Sequence, residues 1–310
     1  MNTQLFDRAA AIAAALIVSP NLAAACACGC GVFAVGADGL NAPTGRGEIA
    51  FEYDHMDQNQ DWSSSRRVSA DDNPDKEIRT DFFTLMGQYR LSRTWSVRAE
   101  VPLWSRTFRT ENATGTGVAA YSHSAIGDVR LTATYSGLAK DGSTGLVFGL
   151  KLPSGDFHYA NFDRDAEIGA GSTDILIGGY RGASLAANGK WSYFVQALGD
   201  LPVASQGGYT PGREADGAVG VAYHGLSAVT AKVMIMPTLQ MIGSIRGQDS
   251  GPDAHPGDSG YERVLISPGL AVMGRDWQVR GDLEIPLYQR FNGHQLAAPI
   301  LFKVRLSRGF

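Results

Sequence analysis

The chain has 310 residues, with 27 basic and 31 acidic side chains and a formal net charge of −4. That balance excludes a basic nucleic-acid binder, which needs a positive excess. No stretch is long and apolar enough to span a membrane as a helix, so a membrane-spanning form must be a barrel. Composition leaves a secreted β-sandwich and an outer-membrane barrel both open, and periodicity has to separate them.

The amino terminus reads as a secretory signal: Arg8 supplies the charge, Ala9 to Val18 the short apolar run, and Ala23-Ala24-Ala25 the small-residue cleavage site. Cleavage near Ala25 would leave Cys26 at or near the new terminus. Residues 1–25 are thus expected to be a signal peptide, 26–45 a Cys/Gly-rich periplasmic segment, and 46–310 the barrel.

Cys26, Cys28 and Cys30 are the only cysteines, spaced C-x-C-x-C among small residues. Three thiolates there could hold a thiophilic metal ion such as Cu(I), Zn(II) or Hg(II). A disulfide with one spare thiol, or lipidation of Cys26, are the other readings of the same residues. No other cofactor is expected.

From residue 47 onward, twelve segments alternate apolar and polar side chains. They are 47–56, 81–91, 95–103, 127–137, 144–152, 173–181, 191–199, 216–224, 229–239, 263–273, 277–287 and 301–310. In the third, Trp95, Val97, Ala99, Val101 and Leu103 oppose Ser96, Arg98 and Glu100. In the eleventh, Trp277, Val279, Leu283, Ile285 and Leu287 oppose Gln278, Arg280, Asp282 and Glu284. The last sets Phe302, Val304, Leu306 and Phe310 against Lys303, Arg305 and Ser307.

Connection lengths alternate as well. Residues 92–94, Gly225-Leu226 and 274–276 are tight, whereas 57–80, 104–126, 153–172, 200–215 and 240–262 are long and polar. Short turns on one side and long loops on the other are the outer-membrane arrangement. An even strand number returns both termini to the periplasm. Trp95, Trp191 and Trp277 each open a strand after a short turn, and Tyr89, Tyr135 and Phe310 close strands at the same edge, which makes a periplasmic aromatic girdle. The fold expected is all-β: a transmembrane antiparallel β-barrel of about twelve strands, with short periplasmic turns and long extracellular loops.

Three motifs carry a family resemblance: Gly127-Asp128-Val129, Gly149-Leu150-Lys151-Leu152-Pro153-Ser154-Gly155-Asp156, and Gly169-Ala170-Gly171-Ser172-Thr173-Asp174. In order and spacing they resemble the outer-membrane barrel family named for the meta-pathway of phenol degradation, over about residue 46 to the end. The resemblance implies a barrel in the outer membrane of a Gram-negative bacterium and uptake of small organic molecules, and it carries no catalytic residue. The Cys segment is not part of that pattern.

The alternation points Arg98, Glu100, Asp128, Arg130, Arg280, Asp282, Glu284, Lys303 and Arg305 into the lumen. They could tune solute selectivity or form a structural network across neighbouring strands. The loop carboxylates Asp71, Asp72, Asp75 and Glu77, and Asp156, Asp163, Asp165 and Glu167, read as solvated loops, with divalent-cation binding as the alternative. Barrel hydrolases resemble one another in a His-x-Ser pair on one strand face, and His123, His158 and His224 all lack the serine at that spacing, so no enzyme is expected.

The function expected is passive passage of small solutes, hydrophobic or aromatic ones included. The alternatives are a metal-linked barrel using the three cysteines and a structural barrel with a closed lumen. Expected partners are outer-membrane lipid, lipopolysaccharide, and the barrel-assembly machinery acting through the strand that ends in Phe310.

Overall fold

A computed structural model of the chain describes residues 34–37, 45–112, 114–185, 188–228 and 233–310. Sixteen strands follow in order: β1 (Gly47–Gln58), β2 (Gln60–Ser64), β3 (Arg66–Arg67), β4 (Asp75–Arg90), β5 (Trp95–Glu111), β6 (Val118–Ile126), β7 (Arg130–Tyr135) and β8 (Thr144–Lys151). Then come β9 (Ser172–Ser184), β10 (Trp191–Ser205), β11 (Glu214–Tyr223), β12 (Leu226–Ala228), β13 (Val233–Arg246), β14 (Tyr261–Met273), β15 (Trp277–Ala297) and β16 (Leu301–Gly309). They form a closed antiparallel barrel of twelve staves. One stave is β6 followed by β7, both paired to β5, and another is β11 followed by β12, both paired to β13. The short β2–β3 hairpin lies against the outer end of β15.

Closure comes from the last strand pairing with the first, Glu48 opposite Gly309 through Met56 opposite Leu301. The terminal residue takes part: the Phe310 carbonyl accepts from Arg46 N (2.8 Å) and Gly47 N (3.0 Å). A Cβ at Gly47 would fall 2.3 Å from the Phe310 ring, so a side chain there would displace that exposed terminal ring. The closed ladder removes the free edge that an open sheet would expose to lipid.

The two faces of the wall separate as the alternation predicts. On β16, Val304 and Leu306 are exposed on the lipid side, while Lys303, Arg305 and Ser307 are buried inside. Ile49, Leu85, Val101, Leu131, Ile177, Val219, Leu239 and Leu283 continue the apolar belt around the barrel. At the periplasmic edge Trp95 lies 5.1 Å from Tyr135, and Trp191 lies 4.8 Å from Tyr223, centroid to centroid.

Four details correct the sequence reading. The fourth segment is a regular strand only over Arg130–Tyr135, because Gly127 and Asp128 turn inward and are buried. Residues 104–126 are largely strand rather than loop: β5 continues to Glu111 and returns as β6. That extension escapes a lipid-facing pattern because its outward residues, Ser105, Thr107 and Arg109, are polar. Gly225-Leu226 is not a turn, since β12 carries the stave on to Ala228. Finally, Asp75 is not solvated but 1% exposed, capped by its approach to Asn73 and the β4–β5 ladder.

Candidate functional site

The lumen divides into a filled half and an open half. In the filled half, under β13 to β16 and β1, Arg280 grips Asp282 in a bidentate pair (2.7 and 2.6 Å) and donates to Thr238 Oγ1 (2.9 Å). At the border with the open half Lys303 approaches Glu52 (3.9 Å) and Arg305 pairs with Glu48 (2.9 Å), and Glu48, Glu52 and Arg305 reach the cavity there. Arg280 and Glu284 are each 1% exposed, and both Ser267 and Leu301 are fully buried. Arg280 with Asp282 and Arg305 with Glu48 neutralise each other, which lowers the cost of burying them, whereas Arg263 is 3% exposed with its Nε and Nη2 lacking hydrogen-bond partners.

The open half, chiefly along β4 to β10 but bordered also by Glu48, Glu52 and Asp54 of β1, holds a cavity of about 940 Å³. Its lining runs from periplasmic residues such as Ser92, Lys140 and Asp141 to the outer residues Tyr209, Gly212 and Arg246. Of the nine charged residues read from the sequence as lumen-facing, Arg98, Glu100, Asp128, Arg130 and Arg305 border this cavity. Arg280, Asp282, Glu284 and Lys303 lie in the filled half instead. In the open half Arg98 donates to Gln88 Oε1 (2.9 Å) and lies 3.5 Å from Glu100. Lys151 bridges Asp174 and Asp200 (2.9 Å to the latter), with Arg130 3.8 Å from Asp200.

Midway, the cavity wall turns apolar. Phe82, Phe194, Ala218, Ile242 and Met56 form one buried cluster with Trp104 and Leu198 packed against it. The Phe82 and Trp104 rings meet edge-on at 4.8 Å. Val35 and Ala37, each 2% exposed, belong to the same cluster. Backbone amides hold them there: Gly36 N donates to Gln196 Oε1 (3.2 Å), and Ala37 N to Gln240 Oε1 (3.0 Å). Gly36 has φ +138°, a conformation that glycine adopts without strain. Ala34–Ala37, read from the sequence as periplasmic, therefore sit inside the barrel as a stopper. The run of small and apolar residues after Cys30 was the only sequence signal for it. Cys26, Cys28 and Cys30 lie outside the described residues.

A second inward element is the chain between β8 and β9. Buried Arg106 holds it by donating to the carbonyls of Ala166 (2.7 Å) and Glu167 (2.9 Å). His123 adds a 2.9 Å contact to Asp156 and stacks on Tyr159 at 3.8 Å. Arg164 spans inward to lie 4.6 Å from the Tyr209 ring centre. Burial, with Asp163, Asp249 and Asp75 nearby, pushes the Asp165 carboxyl well above its ordinary range. Burial likewise raises Tyr159 to about 12. Among the described residues no group of three or more His, Cys, Asp or Glu side chains is placed to hold a metal ion. Near the periplasmic end Ser192 Oγ and His224 Nε2 lie 2.8 Å apart, a pairing across strands that no linear spacing reveals.

No family model matches the chain, and no curated protein matches it. Among solved structures, an outer membrane channel from Pseudomonas putida F1 is similar over 89% of this chain and 100% of that one, at 15% identity and a TM-score of 0.66. The β domain of the Bordetella autotransporter BrkA is similar over 86% of this chain and 100% of that one, at 14% identity and a TM-score of 0.50. The fold is thus the twelve-stranded barrel of outer-membrane proteins.

Proposed function

We propose that the protein is a passive outer-membrane channel of a Gram-negative bacterium for small solutes with an apolar or aromatic body. The observation that carries this reading is the cavity, whose lining runs from the periplasmic rim past a collar of Phe82, Trp104 and Phe194 to the outer residues Tyr209 and Arg246. Paired charges at Lys151, Asp174, Asp200 and Arg130 keep that route wet while the collar offers apolar contact. The resemblance of three motifs to the meta-pathway family, and the similar fold of the channel from Pseudomonas putida, support it.

The stopper favours one second reading, a barrel that stays closed. Planar-bilayer recordings separate the two. A channel shows steps in the wild type that rise several-fold when Ala34–Ala37 are deleted, on the order expected for removing a constriction. A barrel silent in both forms is structural. The three cysteines precede the stopper directly in the chain, so a thiophilic ion held there would be linked to it. Titration with Cu(I) or Zn(II) tests that link, and equal weak binding by wild type and a Cys26, Cys28, Cys30→Ser variant ends it.

A further inference from the structure

The inner wall of the open half is ordered across its strands as well as along them. Residues directly opposite one another in an antiparallel ladder share a face, and neighbouring strands lie about 4.8 Å apart. One such row crosses β4, β5, β7, β8, β9 and β10 as Arg90, Ser96, Thr134, Val147, Gly178 and Leu198. All of these but Gly178 line the cavity. The row changes character halfway. It begins with a cation and two hydroxyls and ends on Val147 and Leu198, the latter packed against the cluster that holds Phe82 and Phe194.

The next inward row, two residues farther from the periplasm, starts Gln88, Arg98, Thr132. Together the two rows set Gln88, Arg90, Ser96, Arg98, Thr132 and Thr134 side by side on three strands. Every one of these side chains can donate a hydrogen bond, and none is a carboxylate. Guanidinium and hydroxyl donors converging on one patch suit an oxyanion.

The surrounding charge favours the same ligand. Arg93 and Lys140 join Arg90 at the periplasmic end of the cavity, and among the described residues none of the three forms an ion pair. The carboxylates nearest the patch are engaged. Glu48 pairs with Arg305 (2.9 Å), Glu100 lies 3.5 Å from Arg98, and Asp141 Oδ1 accepts from Ser143 N (3.1 Å) and Oγ (2.7 Å). Farther up, Asp128 gives its two oxygens to the amides of Gly155 (2.9 Å) and Ala170 (2.8 Å), and Ser154 Oγ accepts from Val129 N (2.8 Å). At the outer mouth, by contrast, Arg164 pairs with Glu167 (3.3 Å) and Arg246 with Asp249 (2.7 Å). Uncompensated positive charge at the periplasmic end, inside a low-dielectric wall, draws anions toward it.

We propose that these two rows form a binding subsite for small aromatic carboxylates. Arg90, Arg98 and the hydroxyls of Ser96, Thr132 and Thr134 hold the carboxylate, and the ring lies on Val147 and Leu198. Thr134 and Val147 are neighbours in the row, so a head group bound on one side leaves its ring over the other. The subsite rests on the reading of the protein as a channel and names the solute class that channel takes. Organic cations are repelled there, and acetate, lacking a ring, gains only the head-group contacts.

Reversal potentials in planar bilayers test it, measured under gradients of potassium benzoate and of potassium acetate. In the wild type benzoate should be more permeant than potassium by roughly fivefold or more, and more permeant than acetate despite its size. Arg90→Gln/Arg98→Gln should lower the permeability of both anions relative to potassium. Both arginines are at least partly exposed, and heat-modifiable migration in gels checks that the variant barrel has folded. Val147→Ser should remove the preference for benzoate over acetate and leave the preference for anions over potassium. A conducting wild type that passes potassium as readily as benzoate, or acetate as readily as benzoate, refutes the subsite and leaves the channel standing. No current in either salt, with or without Ala34–Ala37, refutes the channel and the subsite with it.

Discussion

The two halves of this barrel share one fold and use it differently. From β13 round to β1 the ladders are long, thirteen positions between β13 and β14 and nine between β1 and β16, and the lumen behind β13 to β15 is filled by buried side chains such as the Arg280–Asp282 pair. From β5 to β8 the pairings shrink to six positions on each side of β7, glycines recur, and the lumen is open. Long ladders with a filled interior supply rigidity. Short ladders, with backbone amides handed to Asp128 and Ser154, leave room for passage and for movement.

The sharpest way to break that comparison is to remove one charge from each half. Arg280→Ala strands Asp282 in a fully enclosed site and should cost about 3–5 kcal/mol, read by unfolding in detergent. Arg98→Ala, in the open half and partly exposed, should cost at most ~1 kcal/mol but alter ion selectivity. Equal destabilisation by both would erase the distinction. A smaller effect is expected from the stopper: Val35→Asp puts a charge into the apolar cluster, so the segment should leave and conductance should rise without loss of barrel stability. Unchanged conductance would mean that Ala34–Ala37 do not limit flow.

The smallest expected effect is a pH dependence of the inward loop. The Asp165 carboxyl titrates well above its ordinary range when the loop is docked, so docking favours the protonated acid. Docking is therefore at full strength with Asp165 protonated, and weakens as pH rises from the ordinary carboxylate range through the raised value. Hydrogen exchange of residues 152–171, corrected for intrinsic rates, should show greater protection at acid pH, and Asp165→Asn should flatten the dependence. Protection that grows with pH would contradict it.

Much of the wall was legible because lipid and lumen impose a period of two on every membrane-crossing strand. The faces of β5, β15 and β16, the tryptophans at the periplasmic edge and the closing role of Phe310 all follow from it. What escaped notice depends on long-range bonds. Asp128 alternates like a strand residue, yet its carboxylate serves amides 27 and 42 positions away. Ala34–Ala37 show only a short run of small and apolar residues, and their hold comes from Gln196 and Gln240, 160 and 203 positions on. The nine inward charges could be read as inward, but their division between a packed and an open side depends on which staves become neighbours of the cavity.

Cysteine accessibility tests the divided lumen most directly. Single cysteines at Thr132, Ser267 and Val304, in a protein whose native cysteines are serine, would be exposed in intact membranes to a charged, water-borne thiol reagent. Thr132 borders the cavity, Ser267 is fully buried in the packed half, and Val304 faces lipid. Rapid labelling at position 132 with none at 267 or 304 is the predicted result; labelling at 267 as fast as at 132, or at 304 from the aqueous phase, would contradict it.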